Sequence, residues 1–149
     1  MSALLKPIYI HATALSADGC GVLITGRSRS GKSTLADRLI DALVRQGISA
    51  KLVGDDRIGL TMAGHKLIAR PHPAIAGLIE RRGSGIHSVS FVDHVEIMME
   101  IALESIGSEQ QVDDGFVERL PGHRMRRVIL SEKPELAAVL PLVLALRAQ

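Results

Sequence analysis

One short motif constrains the fold of this chain more than any other feature of the sequence. Residues 26–33 read Gly-Arg-Ser-Arg-Ser-Gly-Lys-Ser and match the phosphate-binding loop pattern G-x-x-x-x-G-K-[ST] at every fixed position. An apolar segment, residues 21–25, precedes this P loop, and leucines recur four residues apart after it. The order predicts a buried strand, a loop and an amphipathic helix that ends near Gly47.

Each fixed position of the P loop has a physical reason. The glycines let backbone N–H groups curl around an anion, and the helix N-terminus adds unsatisfied donors and partial positive charge. Lys32 supplies a mobile positive charge for the β- and γ-phosphates, and Ser33 offers a hydroxyl group to Mg²⁺. We therefore expect a nucleoside triphosphate with Mg²⁺ here. The predicted nucleotide-binding residues are Gly26, Arg27, Ser28, Arg29, Ser30, Gly31, Lys32, Ser33 and Thr34.

Shorter apolar segments predict further strands around the P loop. Residues 8–15 are interpreted as one strand, and Asp18-Gly19 as the turn of a hairpin with the strand before the loop. Residues 50–54 predict another strand, which we expect beside the P-loop strand. Residues 58–62 and 66–70 predict two more strands around a turn.

The second half of the chain has weaker patterns. Residues 74–80 are compatible with one or two helical turns. Apolar residues alternate strictly over 95–103, which suggests a strand, but the Met, Glu and Ala content favours a helix, so both remain open. Residues 132–149 predict two short helices interrupted by Pro141.

Composition limits the class of protein. A chain of 149 residues suits a single domain, which we expect over residues 1–149. Aromatic residues make up 2% of the chain, so the core must be aliphatic, and stacking platforms for nucleic-acid bases are close to absent. Cys20 is the one cysteine, which excludes an internal disulfide. No secretory signal and no apolar run of about 20 residues is visible, which favours a cytoplasmic protein without a membrane partner.

Two acidic residues, Asp55 and Asp56, directly follow the strand predicted over 50–54. The carboxyl end of such a strand can reach the phosphate site of a P-loop fold, where an Asp can hold Mg²⁺ or accept a proton from an attacking hydroxyl group. The alternative is a solvated turn, in which Asp is common. We prefer the functional interpretation because the strand end coincides with a P loop.

Three other candidates are weak when each is taken alone. The segment Glu80-Arg81-Arg82-Gly83-Ser84-Gly85 could bind Mg²⁺ through Glu80 and stabilise transferred charge through an Arg, but a solvated charged loop is the better interpretation by itself. His11 lies on a predicted strand, where a single His is more often structural than catalytic. Arg119 has no local pattern that assigns it a role.

Taken together, these residues resemble the catalytic domain of HPr kinase/phosphorylase, especially the short form without an N-terminal domain. The resemblance extends from about His11 to Pro121. It rests on four segments and their order around the P loop. These are His11-Ala12-Thr13-Ala14 before the P-loop strand, Gly54-Asp55-Asp56-Arg57, the signature Glu80-Arg81-Arg82-Gly83-Ser84-Gly85-Ile86, and Phe116-Val117-Glu118-Arg119-Leu120-Pro121.

The resemblance implies a compact α/β P-loop kinase domain, with a mixed sheet flanked by helices, that phosphorylates a serine of the phosphocarrier HPr in the regulation of carbon metabolism. ATP would be held by Lys32 and the loop amides, and Mg²⁺ by Ser33 and Glu80. The pair Asp55-Asp56 would supply the base that takes the serine proton. Which of the two acts remains open, with a preference for Asp56. His11 would tune protonation near the phosphates. Arg82 and Arg119 would neutralise developing charge. The resemblance also implies a homo-oligomer, a hexamer.

The sequence departs from the family pattern at several points. Arg29 stands in the P loop where the family usually has Gly, and Arg81 replaces a usually apolar residue of the signature. No equivalent of the Pro-Gly-Arg-Asn stretch tied to phosphorylase activity is visible after Pro121. Kinase activity is therefore better supported than phosphorolysis. A small-molecule P-loop kinase and a non-catalytic nucleotide-sensing regulator remain alternatives.

Overall fold

The computed structural model describes residues 6–106 and 112–147. Two α-helices, one short 3₁₀ turn and eleven strands form within these residues. In chain order they are β1 (Ile8–Ile10), β2 (Ala12–Ala17), β3 (Cys20–Gly26), α1 (Lys32–Arg45), β4 (Ala50–Gly54), β5 (Ile58–Ala63), β6 (Lys66–Pro71), the 3₁₀ turn (Pro73–Ile75), β7 (Leu78–Arg81), β8 (Gly85–Ser88), β9 (Val95–Glu104), β10 (Val112–Val117), β11 (Met125–Ser131) and α2 (Leu136–Arg147).

A mixed sheet of nine strands forms the centre of the described structure. The P-loop strand β3 pairs with β9 in parallel and with β2 in antiparallel, and β4 lies beyond β2. The other edge of β9 is shared, because β6 pairs with its first residues and β11 pairs in parallel with the remainder. The predicted α/β class with a mixed sheet is confirmed.

Two aliphatic clusters pack on opposite faces of this sheet. The first joins α1 and α2 to β2, β3, β9 and β11, and the second covers the other face with residues from β5 and β6. Neighbouring residues of the P-loop strand show the alternation, since Ile24 belongs to the first cluster and Leu23 to the second. The packing of α1 on one face fixes the P loop at the carboxyl end of β3. No helix in the described part of the chain is long and apolar enough to cross a membrane.

Several sequence predictions need correction near the site. The strand predicted over 8–15 is two strands separated at His11, because β1 pairs with β5 whereas β2 pairs with β3 and β4. β4 lies beside β2 and not beside the P-loop strand. The prediction of helical turns over 74–80 is wrong for its second half, which pairs with β8 as strand β7.

Two other ambiguities are decided by tertiary contacts. Residues 95–103 lie within strand β9, where hydrogen bonds to β3 and β11 outweigh their helical composition. The predicted break at Pro141 is wrong, since α2 continues through it. Val139, Val143 and Leu146 are buried in the first cluster, whereas Pro141 is exposed, so packing of the opposite face holds the helix together.

Candidate active site

The P loop forms a tight turn between β3 and α1. Gly26 and Gly31 have φ angles of 153° and 100°, which suit glycine. A Cβ atom on Gly26 would lie 2.9 Å from the backbone oxygen of Leu103, so no larger residue fits there without movement. Arg29 stands at the P-loop position that is usually Gly in the family which the sequence resembles. Its φ of 68° is also left-handed. The backbone geometry therefore keeps the glycine-like conformation although the residue is Arg.

Lys32 is almost completely buried inside the P loop. Its Nζ donates to the carbonyl oxygens of Gly26 and Arg27, both at 2.9 Å. Burial lowers the pKa of Lys32, and the nearby carboxylates of Asp55, Asp56 and Glu132 partly oppose that effect. The ammonium group is thus held over the loop, beside the backbone amides that would face an anion.

Asp55 is a buried carboxylate that is held by three donors. Thr13 Oγ1 and Ser33 Oγ each donate to its Oδ1 at 2.7 Å, and the Glu80 backbone N–H donates to Oδ2 at 3.1 Å. The residue is 5% exposed. Because the donors come from β2, α1 and β7, Asp55 joins three elements around the start of α1. Its contact with Ser33 confirms that the end of β4 reaches the P loop.

Asp56 points away from its neighbour. A φ of 68° turns the chain here, and Asp is among the residues that tolerate this left-handed conformation. The Asp56 carboxylate is 66% exposed and lies 2.8 Å from His11 Nε2. The backbone supports this pair, since the Ala12 N–H donates to the Asp56 carbonyl oxygen at 3.3 Å. Asp55 is therefore enclosed, whereas Asp56 remains accessible to a substrate.

The β7–β8 hairpin completes the wall of one cavity of about 300 Å³. It contributes Glu80 and Arg82, opposite the P loop and the Asp pair. The structure thus brings together most of the residues singled out in the sequence. The cavity is lined by His11, Ser28, Arg29, Gly31, Lys32, Ser33, Thr34, Asp55, Asp56, Glu80 and Arg82.

A second cavity of about 460 Å³ adjoins the first at Ser33 and Thr34. Its walls also include Asp37 and Arg38 of α1, and Lys133 and Pro134 after β11. The Lys133 residue lies close to the P loop, because its N–H donates to the Ser30 carbonyl oxygen at 2.9 Å. This cavity extends the polar site along the first turn of α1.

Arg119 is paired with a buried carboxylate of β9. Its Nε and Nη2 donate to the two carboxylate oxygens of Glu100 at 2.7 Å and 2.6 Å, and Arg119 lines neither of the two cavities. Hydrogen bonding to Glu100 raises the pKa of Arg119. Glu100, which the sequence reasoning missed, is fully buried and also accepts from Thr25 Oγ1 at 2.8 Å. A charged residue within an alternating apolar segment was the available signal.

A second missed contact joins the P loop to the turn before α2. Arg27 donates through Nε and Nη2 to the carboxylate oxygens of Glu132 at 2.6 Å and 2.8 Å. The hydrogen bond from Arg27 lowers the pKa of Glu132. No sequence pattern links residues 105 positions apart, so only the folded chain shows this ion pair.

The side-chain oxygens around Ser33 are suitable ligands for Mg²⁺. Ser33 Oγ lies 2.7 Å from Asp55 Oδ1, and Glu80 lines the same cavity. Mg²⁺ prefers such hard oxygen ligands and takes further ligands from phosphates and water, so few protein side chains are needed. Within the described residues, no group of three or more His, Cys, Asp or Glu side chains could hold a metal ion by itself. The fit therefore depends on a bound nucleotide.

Comparisons with known proteins agree with this geometry. The family model described as HPr Serine kinase C-terminal domain matches residues 2–130. An HPr kinase/phosphorylase of Mycoplasma mycoides subsp. mycoides SC is 36% identical over 110 residues, which cover 70% of this chain and 33% of the relative. Another from Mycoplasma pneumoniae is 39% identical over 80 residues, covering 54% of this chain and 24% of the relative.

A solved structure shows the same fold. The Hpr(Ser) kinase/phosphatase from Coxiella burnetii has a TM-score of 0.77 and 27% identity, over 95% of this chain and 97% of that chain. The sequence match spans about a third of the length of the Mycoplasma mycoides relative. The family match covers most of the chain, and the structural match covers nearly all of it. The chain belongs to the family of the HPr serine kinase C-terminal domain.

Proposed function

We propose that this chain transfers the γ-phosphoryl group of ATP to a serine hydroxyl group of the phosphocarrier HPr. The observation that carries the proposal is the single cavity in which His11, Asp56 and Arg82 face the P loop. The names of the relatives, HPr kinase/phosphorylase, supply the acceptor and the reaction class. We place this activity in the cytoplasm, in the regulation of carbon metabolism, and in a homo-oligomer, a hexamer by resemblance.

The triphosphate would bind along the P loop. Backbone N–H groups at the start of α1 and the positive end of that helix favour the phosphates, and Lys32 is already held beside them. The cavity of about 460 Å³ adjoins Thr34, which follows the phosphate site, so it suits the nucleoside. Ser33, oriented by Asp55, and Glu80 would hold Mg²⁺, which neutralises phosphate charge when bound.

The two aspartates would have separate roles. Asp55 accepts three hydrogen bonds and has little capacity left for a substrate proton, so it orients Ser33 and the hairpin. Asp56 is exposed and pairs with His11, which fixes the direction of its carboxylate. The geometry thus favours Asp56 as the base that remained open in the sequence.

The serine hydroxyl proton moves to the Asp56 carboxylate, a bond forms between the serine oxygen and the γ-phosphorus, and the bond from that phosphorus to ADP breaks. Arg82, which lines the cavity, would neutralise charge on the transferring oxygens. A structural role for Arg119 is more consistent with its bidentate bond to Glu100, and its predicted contribution to charge neutralisation stays a prediction.

The reverse reaction is a second candidate, favoured by the word phosphorylase in the names of the relatives. Inorganic phosphate would attack the phosphorus of phosphoserine, the bond to the serine oxygen would break, and that oxygen would take the proton from Asp56. The products would be serine and pyrophosphate.

The test uses γ-labelled ATP, Mg²⁺ and HPr, and measures acid-stable phosphoserine. We expect transfer by the unaltered chain, and at least about a hundredfold loss in Asp56→Asn with unchanged nucleotide binding. The matched control is Asp41→Asn, an exposed Asp of α1 outside both cavities.

ATP binding without transfer would refute the kinase proposal and favour a nucleotide-sensing regulator. Full activity of Asp56→Asn would refute Asp56 as base. Pyrophosphate release from phospho-HPr and phosphate tests the reverse reaction.

A further inference from the structure

The β7–β8 hairpin carries two site residues but belongs to a separate sheet. Its strands pair only with each other within the described residues, through contacts such as Glu80 with Ile86. At the base of the hairpin, Ile79 is 2% exposed and the Glu80 N–H bonds Asp55. Since no main-sheet ladder fixes the hairpin, side-chain contacts must define where its turn lies.

One such contact lies at the end of β7 nearest the turn. Arg81 Nε and Nη2 donate to the two carboxylate oxygens of Asp37 at 3.1 Å and 3.0 Å. The two side chains are 41% and 38% exposed, and hydrogen bonding to the Asp37 carboxylate raises the pKa of Arg81. The ion pair therefore links the end of β7 to α1.

The partner of Arg81 lies on the helix that also carries the P-loop side chains. Asp37 is on α1, which begins at Lys32 and contains Ser33 in its first turn. A bidentate Arg–carboxylate contact restricts orientation as well as distance, because two parallel hydrogen bonds must form together. The Asp37–Arg81 ion pair thus joins the hairpin to the same rigid element that presents Lys32 and Ser33.

We propose that Asp37 and Arg81 are positioning residues, whose ion pair holds the β7–β8 hairpin so that Glu80 and Arg82 face the P loop. This inference rests on the proposed kinase function. Glu80 and Arg82 flank Arg81 directly in the chain, so a displacement of Arg81 moves both of them. Small displacements of such groups reduce the rate of the chemical step more than they weaken substrate binding.

The experiment compares three variants of the full chain with a matched control. Asp37→Asn and Arg81→Leu each remove the ion pair, and Asp37→Arg with Arg81→Asp reverses it. The control, Asp41→Asn, removes another Asp–Arg ion pair of the same helix, in which Arg45 Nε lies 2.9 Å from Asp41. For each single variant we expect kcat to fall about tenfold while KM for ATP changes less than about threefold. The reversed pair should recover activity relative to both singles, and the control should match the unaltered chain.

Hydrogen exchange of the amides in residues 80–88 gives a readout that needs no kinase activity. We expect faster exchange in Asp37→Asn and Arg81→Leu, but not in Asp41→Asn. Unchanged exchange and kcat in the single variants would overturn the proposal. Asp37 and Arg81 both line the cavity that we assign to the nucleoside. A raised KM with unchanged kcat would also overturn the proposal, because these residues would then contact the nucleoside directly. If the unaltered chain transfers no phosphate, the kinase function fails, and altered exchange still supports the structural half of the inference.

Discussion

Removing Arg119 tests its ion pair with buried Glu100 on β9, the strand beside the P-loop strand. Glu100 is 0% exposed, and its carboxylate accepts two hydrogen bonds from Arg119 and one from Thr25. The Arg119→Met substitution retains an apolar side chain but removes both guanidinium donors. The Glu100 carboxylate then keeps a single protein donor, the Thr25 hydroxyl group, at a buried position of β9.

The expected loss follows from burial. Removing one partner of a buried ion pair costs about 3–5 kcal/mol in the free energy of unfolding. The Arg119 side chain is 29% exposed, so in the variant some water reaches the Glu100 carboxylate in place of the guanidinium group. We therefore expect about 3 kcal/mol, the lower end of that range. For a chain of this size, the same loss lowers Tm by about 10 °C.

The double variant Arg119→Met with Glu100→Met separates a lost attraction from an unpaired charge. Apolar residues of similar volume in place of a buried ion pair are often neutral or stabilising, so we expect stability within about 1 kcal/mol of the unaltered chain. Urea unfolding followed by circular dichroism, at constant pH and salt, measures all three proteins.

Two results would refute the reasoning: a loss below about 1 kcal/mol in Arg119→Met, or a double variant as unstable as that single variant. The double variant also tests the role predicted for Arg119 from the sequence. If Arg119 acts only through Glu100, phosphoryl transfer returns with stability. If Arg119 neutralises developing charge, the double variant folds but remains slow.

Two further predictions concern the chain around α2. Pro141→Ala should raise the free energy of unfolding by about 1–3 kcal/mol, because Pro141 is exposed inside α2 and has no N–H for the helical hydrogen bond. Urea unfolding measures the change, with Pro121→Ala, at an exposed position outside the helices, as control. Equal effects at both prolines would contradict the prediction. For Arg27→Met, the deficit in Tm should depend on pH. Arg27 lowers the pKa of Glu132 in the folded chain from about 4.5, so its stabilising effect is present above that pH and is lost as the pH falls through the lower folded value. Melting curves across acid pH test this, and a deficit that grows on acidification would exclude the Arg27–Glu132 pair as its cause.

The P-loop part of the site could be predicted from the sequence because it is formed by consecutive residues. The strand, loop and helix around Lys32 need only a few consecutive residues, since backbone conformation and helix periodicity are local properties. The order of the remaining motifs then identified the family. The position of β4 beside β2 could not be predicted, because strand order is set by hydrogen bonds between segments that are distant in the sequence.

The sequence by itself determined the phosphate loop, the aliphatic core and most of the polar residues that line the cavity of about 300 Å³. Tertiary structure alone decided which of those residues act together. Asp55 and Asp56 are adjacent in the chain, yet one is enclosed by donors from three elements and the other faces His11. Glu100 paired with Arg119 for the same reason: a charge is tolerated in the core only where the fold brings a partner to it, and that partner is distant in sequence.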